Sequence, residues 1–165
     1  RLGQELEKLV SFDVNYRNLM WKDDQEACGK AVLDLLPLVD ILKISEEEVD
    51  MAGGEEGLFE LMERCSLSLI VETLGSAGAK CYFDGQILTV EGRKAKAVDA
   101  TGAGDAFWGG FLSSLRIQGV EKTKDLTAEI IEKALRYGNT AGWICVQHKG
   151  AISSLPTREE IEKNL

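Results

Sequence analysis

Apolar and polar positions along the chain switch repeatedly between a period of two and a period near 3.6, which predicts strands alternating with helices. Leu9 to Asn15 reads as a short strand. Trp21-Lys-Asp-Asp opens a helix running to about Leu36, with Asp23 or Asp24 as N-cap, an apolar face of Ala27, Ala31, Val32 and Leu35, and Pro37 as its stop. Val39 to Ile44 is the next strand, and Ser45-Glu-Glu-Glu48 starts a short acidic helix broken by Gly53-Gly54. Glu56 to Cys65 forms another helix before a strand at Ser68 to Val71. Ala79 to Phe83 and Gln86 to Val90 flank Asp84-Gly85, a strong hairpin signal. The glycine-rich run Asp99 to Asp105 then leads into an apolar helix from Ala106 to Leu115, rich in small residues suited to close packing. A second long helix spans Ala128 to Val146 after Thr127, and Leu155-Pro156-Thr157 caps a last one ending at Lys163.

This alternation predicts an α/β fold, with a mostly parallel sheet, helices on both faces and an antiparallel edge. The lack of repeats or a linker predicts a single domain over 1–165. In such folds ligands sit beyond the carboxyl ends of the strands. Ser45, the Thr73-Leu-Gly75 turn and the Asp99 to Asp105 loop all fall at such exits, so they are expected to line one crevice. The chain opens Arg1-Leu2-Gly3, with Leu2, Leu6, Leu9 and Val10 near helical spacing, as expected of a fragment that starts inside an element.

Charge narrows the functional classes. Lys and Arg number 19 against 28 Asp and Glu, a net charge of −9, and the basic residues form no run. Nucleic-acid binding is disfavoured, because it calls for a basic stripe. No stretch approaches the ~20 apolar residues of a membrane span, and no signal peptide is visible, so a soluble, cytoplasmic protein is expected. Cys28, Cys65, Cys81 and Cys145 are widely spaced and His148 is the only histidine. That pattern reads as buried reduced thiols rather than a zinc site.

Thr101-Gly102-Ala103-Gly104-Asp105 is the most informative segment. Glycines let the backbone approach an anion closely, and the helix behind them presents unpaired N–H groups at its positive end. Asp105 has two readings, a helix cap or the base that takes a proton from a hydroxyl attacking a bound phosphoryl group. No G-x-x-x-x-G-K-[ST] loop occurs, and Phe107 stands where the dinucleotide fingerprint needs its third glycine.

The run Val98-Asp-Ala-Thr-Gly-Ala-Gly-Asp-Ala-Phe-Trp-Gly-Gly-Phe111 resembles the C-terminal signature of the ribokinase-like, or PfkB, carbohydrate kinases, D-T-T-G-A-G-D-x-F. Further matches follow the family order at Asp13-Val-Asn-Tyr-Arg17, Lys43-Ile-Ser-Glu-Glu-Glu48, Thr73-Leu-Gly-Ser-Ala-Gly78 and Lys149-Gly-Ala-Ile-Ser-Ser154. The resemblance implies a three-layer α/β/α fold and ATP-dependent phosphorylation of a sugar hydroxyl. Fructokinase comes first, with ketodeoxygluconate kinase, ribokinase or a non-catalytic nucleotide-binding fragment as alternatives. It implies Asp105 as catalytic base, the amides of Gly102, Ala103 and Gly104 as anion hole, and Thr73, Gly75, Gly78, Thr101 and Asn139 along the nucleotide. Phosphoryl transfer relies mainly on positioning and charge stabilisation, which such an amide nest with Mg²⁺ would provide.

By the same resemblance Glu48 matches the glutamate of an N-x-x-E motif that organises Mg²⁺, with Ser45 in place of the asparagine. A Ser45–Glu48 capping box is the other reading, and both roles can coexist. Asp99, Thr101, Gly150 and Ser154 match positions that bind potassium in many relatives, while Asp99 also suits a purely structural pin for its loop. His148 is expected in a loop near the adenine. Asn15 and Arg17, aligned with Asp13 along one strand, are the expected sugar contacts. The resemblance covers the C-terminal part of the family pattern, leaving the opening strand, a double-glycine segment and a β-sheet lid unmatched. A sheet lacking those strands would expose an edge that favours homo-oligomers.

Overall fold

The computed structural model describes residues 2–165. Among them the elements run α1 (Leu2–Glu5), β1 (Ser11–Asp13), α2 (Asn18–Trp21), α3 (Gln25–Leu35), β2 (Ile41–Ser45), α4 (Leu58–Cys65), β3 (Leu69–Thr73), β4 (Gly78–Phe83), β5 (Gln86–Glu91), α5 (Ala103–Ile117), α6 (Ala128–Cys145) and α7 (Arg158–Lys163). The strands form one sheet in the order β1-β2-β3-β4-β5. β1 runs parallel to β2 and β2 parallel to β3, with Ser11 beside Ile41 and Ile41 beside Leu69. Connections of four and two residues join β3 to β4 and β4 to β5. Those are too short for a parallel crossover, so these neighbours are antiparallel. The mixed α/β architecture expected from the pattern is the one observed.

By internal packing the chain divides into two compact units. The first comprises residues 2–74, 80–88 and 121–124, and the second residues 75–79, 89–120 and 125–165. The core of the first is built from α3 (Cys28, Val32), the inward side chains of β2 and β3 (Leu42, Ile44, Ile70), α4 (Leu58, Leu61, Met62) and Tyr82. β2 and β3 are buried along almost their whole length and are apolar there apart from Lys43 and Glu72. Asp24 is the cap of α3, accepting the Ala27 N–H at 2.8 Å.

The second unit centres on α5 against α6, a contact that glycine makes possible. A Cβ on Gly110 would lie 2.9 Å from the Ala141 methyl, and one on Gly138 2.9 Å from the Phe107 carbonyl oxygen. α7 closes the unit through a capping box in which Thr157 and Glu160 bond each other's backbone N–H.

Four local expectations are corrected. The first strand ends at Asp13 rather than Asn15, because Asn15 takes a left-handed φ of 47°. The single turn α2 precedes α3. No acidic helix starts at Ser45: Ser45 stays in β2, residues 46–48 form a turn, and a 3-10 turn follows at Val49–Ala52. Finally, α5 begins at Ala103, three residues earlier than its apolar pattern suggests, because Gly102 at φ 82° serves as N-cap and Ala103, Gly104 and Asp105 make the first turn.

Candidate active site

The expected site residues fall into two groups, one in each unit. In the second unit, the start of α5 places Asp105 third in the helix. Its exposed side chain opens on a groove of about 680 Å³ lined also by Gly109, Ser113, Arg116, Leu155 and Arg158. The first amides of a helix lack intrahelical partners and carry the positive end of its dipole. One of the three expected anion-hole amides is engaged, since the Ala103 N–H donates to the Ala100 carbonyl at 3.1 Å. Gly102 packs tightly on Ala151, where an added Cβ would sit 3.1 Å from the Ala151 Cα.

Asp99, Thr101, Gly150 and Ser154 come together in this unit. Asp99 accepts the Thr101 N–H on Oδ1 and the Gly150 N–H on Oδ2, both at 2.9 Å. Hydrogen bonds from the Thr101 side chain and backbone, then from the Gly150 amide, hold the Asp99 carboxyl down at about 2. Ser154 Oγ donates to the Ala151 carbonyl at 3.0 Å and lies 3.1 Å from Cys145 Sγ, which in turn reaches the Thr101 carbonyl. The structural pin that Asp99 suggested is thus present. Carboxylate and carbonyl oxygens gathered this way are the donors a hard cation such as potassium takes.

Asn139 on α6 has its Nδ2 directed to the Val90 and Glu91 carbonyls at 3.2 and 3.4 Å, tying the end of β5 to the helix. Gly75 and Gly78 have φ of 55° and 112°, and Gly78 crosses so close to β5 that a Cβ would fall 2.1 Å from the Val90 carbonyl. Gly78 therefore serves a backbone crossing. His148 is exposed in a bend after α6.

In the first unit, Thr73 ends β3 and its hydroxyl donates to the Ile44 carbonyl at 3.4 Å. Glu48 is buried, and both its oxygens accept backbone amides: Tyr16 N–H at 2.6 Å and Ser45 N–H at 2.8 Å. The second bond is half of the expected capping box; in place of the other half the Glu48 N–H donates to the Ser45 carbonyl. Because β1 is short and Asn15 is left-handed, Asp13, Asn15 and Arg17 do not share a strand face, which corrects the alternation expected of them. Arg17 is exposed, with its guanidinium donating to the Tyr16 carbonyl at 2.9 Å.

Two polar clusters escaped the sequence reading. Lys43, buried in β2, pairs with Asp13 at 2.9 Å across the parallel register. Glu72, buried in β3, accepts the Tyr82 hydroxyl at 2.8 Å, and Tyr82 also reaches Glu55, which Lys80 engages. A charge inside an otherwise apolar strand was the available signal, since burial demands a partner. Among the described residues no group of three or more His, Cys, Asp or Glu is placed to hold a metal.

Known proteins resemble this chain in sequence and in fold. The chain is 34% identical to fructokinase-1 of Oryza sativa subsp. japonica over 98% of its own length and 50% of that protein's, and 35% identical to the fructokinase of Klebsiella pneumoniae over 94% and 50%. It superposes with a TM-score of 0.84 and 31% identity on a double-mutant fructokinase from Vibrio cholerae O395 in its fructose-, ADP- and potassium-bound form, covering 98% of this chain and 51% of that one. An ATP-bound fructokinase from Xylella fastidiosa gives a TM-score of 0.88 at 25% identity, covering 97% and 52%. The chain thus spans about half the length of the relatives it matches. Residues 2–158 match the pfkB family carbohydrate kinase description, and the chain belongs to that family.

Proposed function

We propose that the protein phosphorylates a sugar hydroxyl with ATP, fructose being the first candidate, and that residues 1–165 act as its nucleotide-binding and catalytic portion. The observation that carries this reading is the Gly102-Ala103-Gly104-Asp105 helix start, with an accessible carboxylate behind a cluster of amides, in a chain of this family. Asp105 takes the proton of the sugar hydroxyl as its oxygen bonds to the γ-phosphorus and the bond from that phosphorus to the β,γ-bridging oxygen breaks, leaving ADP. The amides at Gly102 and Gly104 face the charge on the transferred oxygens, with Ala103 shaping the turn between them. Glu48 is the carboxylate that would help hold magnesium, which would neutralise phosphate charge on the nucleotide. Thr73, Gly75, Gly78, Thr101 and Asn139 border the nucleotide, and Asn15 and Arg17 meet the sugar. Potassium belongs at Asp99, Thr101, Gly150 and Ser154. Buried reduced thiols fit a cytoplasmic setting. β1, at one end of the strand order, offers an outer edge where a further strand or a second copy would pair.

The test is ATP-dependent phosphorylation of fructose, ribose and ketodeoxygluconate with Mg²⁺ and K⁺ present, alongside calorimetry of nucleotide binding. Turnover of fructose above the others supports the reading. Nucleotide binding without turnover supports the nucleotide-site fragment instead, and no nucleotide binding rejects both.

A further inference from the structure

Glu48 joins two strand exits. Its Oε1 accepts the N–H of Tyr16, three residues past the end of β1, and its Oε2 accepts the N–H of Ser45, the last residue of β2. The residue is only 5% exposed. Charge-assisted bonds of this kind are roughly twice as strong as neutral ones. The same segment is fastened at its other end, where Lys43 pairs with Asp13 and the Lys43 carbonyl accepts the Val14 N–H at 3.1 Å. Between the two fastenings Asn15 sits in the left-handed region, which asparagine adopts more readily than other side-chain-bearing residues. Arg17 follows Tyr16 directly, so its starting point is set by the Tyr16–Glu48 bond.

We infer that Glu48 is a positioning residue for the Asn15–Arg17 segment, fixing where those two side chains are presented to the sugar. The inference rests on the sugar-kinase reading and deepens it by giving Glu48 a part on the sugar side, separate from any dealing with magnesium. Glu48→Gln keeps the length of the side chain but leaves one acceptor oxygen, and its amide nitrogen then meets an N–H donor. Glu48→Asp keeps the charge but is one methylene too short to span both amides.

In hydrogen exchange on the 165-residue chain, the Tyr16 amide should exchange at least about tenfold faster in E48Q, with Leu42 and Ile44 in β2 unchanged as a check of folding. Should E48Q fail to fold, E48D gives the same readout. In turnover, KM for the sugar should rise about tenfold in both variants, while KM for ATP and the magnesium concentration for half-maximal rate move far less. Unchanged Tyr16 exchange would overturn the inference. So would a shift in magnesium requirement with the sugar KM unmoved. If the unaltered protein phosphorylates no sugar, the kinase reading fails by itself, and the exchange measurement still decides whether Glu48 fastens the segment.

Discussion

At the scale of single residues, Asp105 lies in the first turn of α5 with an exposed carboxylate, so a substitution there tests the proposed base role directly. Asp105→Asn removes the proton acceptor while keeping shape and capping ability. Sugar phosphorylation should fall about 10²–10⁴-fold with ATP affinity nearly unchanged, as followed by coupled assay and calorimetry. Nearly full turnover in D105N would remove Asp105 from the base role. The helix start beside Asp105 was legible in the sequence, because a glycine-rich run ahead of an apolar stretch marks one. The partners of Glu48 and Lys43 were not. Both meet groups about thirty residues away, Tyr16 and Asp13, and spacing along the chain carries no record of which strands become neighbours. Asn15 was misplaced for a related reason: an alternating pattern says nothing of a residue turning left-handed between two fastenings.

Among elements, the α5–α6 contact concentrates its tolerance at a few glycines. Gly138→Ala would drive a methyl to 2.9 Å from the Phe107 carbonyl and 3.0 Å from its ring, whereas nothing lies within 4 Å of a Cβ at Gly109. Urea unfolding should show G138A destabilised by about 1–3 kcal/mol and G109A unchanged or stabilised by up to about 1 kcal/mol. Equal effects from the two would mean that helix propensity, not close approach, governs the contact. α7 carries a pH dependence. Hydrogen bonds from the Thr157 N–H and then its hydroxyl lower the Glu160 carboxyl below its usual 4.5. A depressed carboxyl stabilises the folded form above its unfolded value and loses that contribution as pH falls through the folded one. Amide protection in α7 should therefore drop between pH 6 and pH 3, and E160Q should be poorly protected at both. Helices with caps and hairpins with Asp-Gly were readable ahead of the structure because their signals are local. The turn after Ser45 was not, because a Glu48 bond to the Ser45 amide suits a helix cap and a strand exit alike, and the bond that decides, from Tyr16, joins residues 32 apart in the chain.

For the whole molecule, the four cysteines are all free and buried. Burial raises the Cys28 thiol and pushes Cys81 far above its ordinary range, and the thiolate is the reactive form. A thiol reagent at pH 7.5 should leave the native chain almost unlabelled for minutes and modify all four residues once denaturant is added. Rapid native labelling would mean that one of the two cores is open. The fold class was legible at this scale because the alternation of periods runs the length of the chain. The division into two units was not, since no change in composition marks it.

That division has a consequence for inheritance. The chain passes between the units at 74/75, 79/80, 88/89, 120/121 and 124/125, and each strand of the β4–β5 hairpin contributes residues to both. No single crossover in a gene, and no single protease cut, can deliver either unit free of residues from the other. A chimaera spliced at one point with a relative necessarily mixes at least one unit, so exchanging Asp105 or Glu48 together with its whole unit, and leaving the other intact, takes several crossovers.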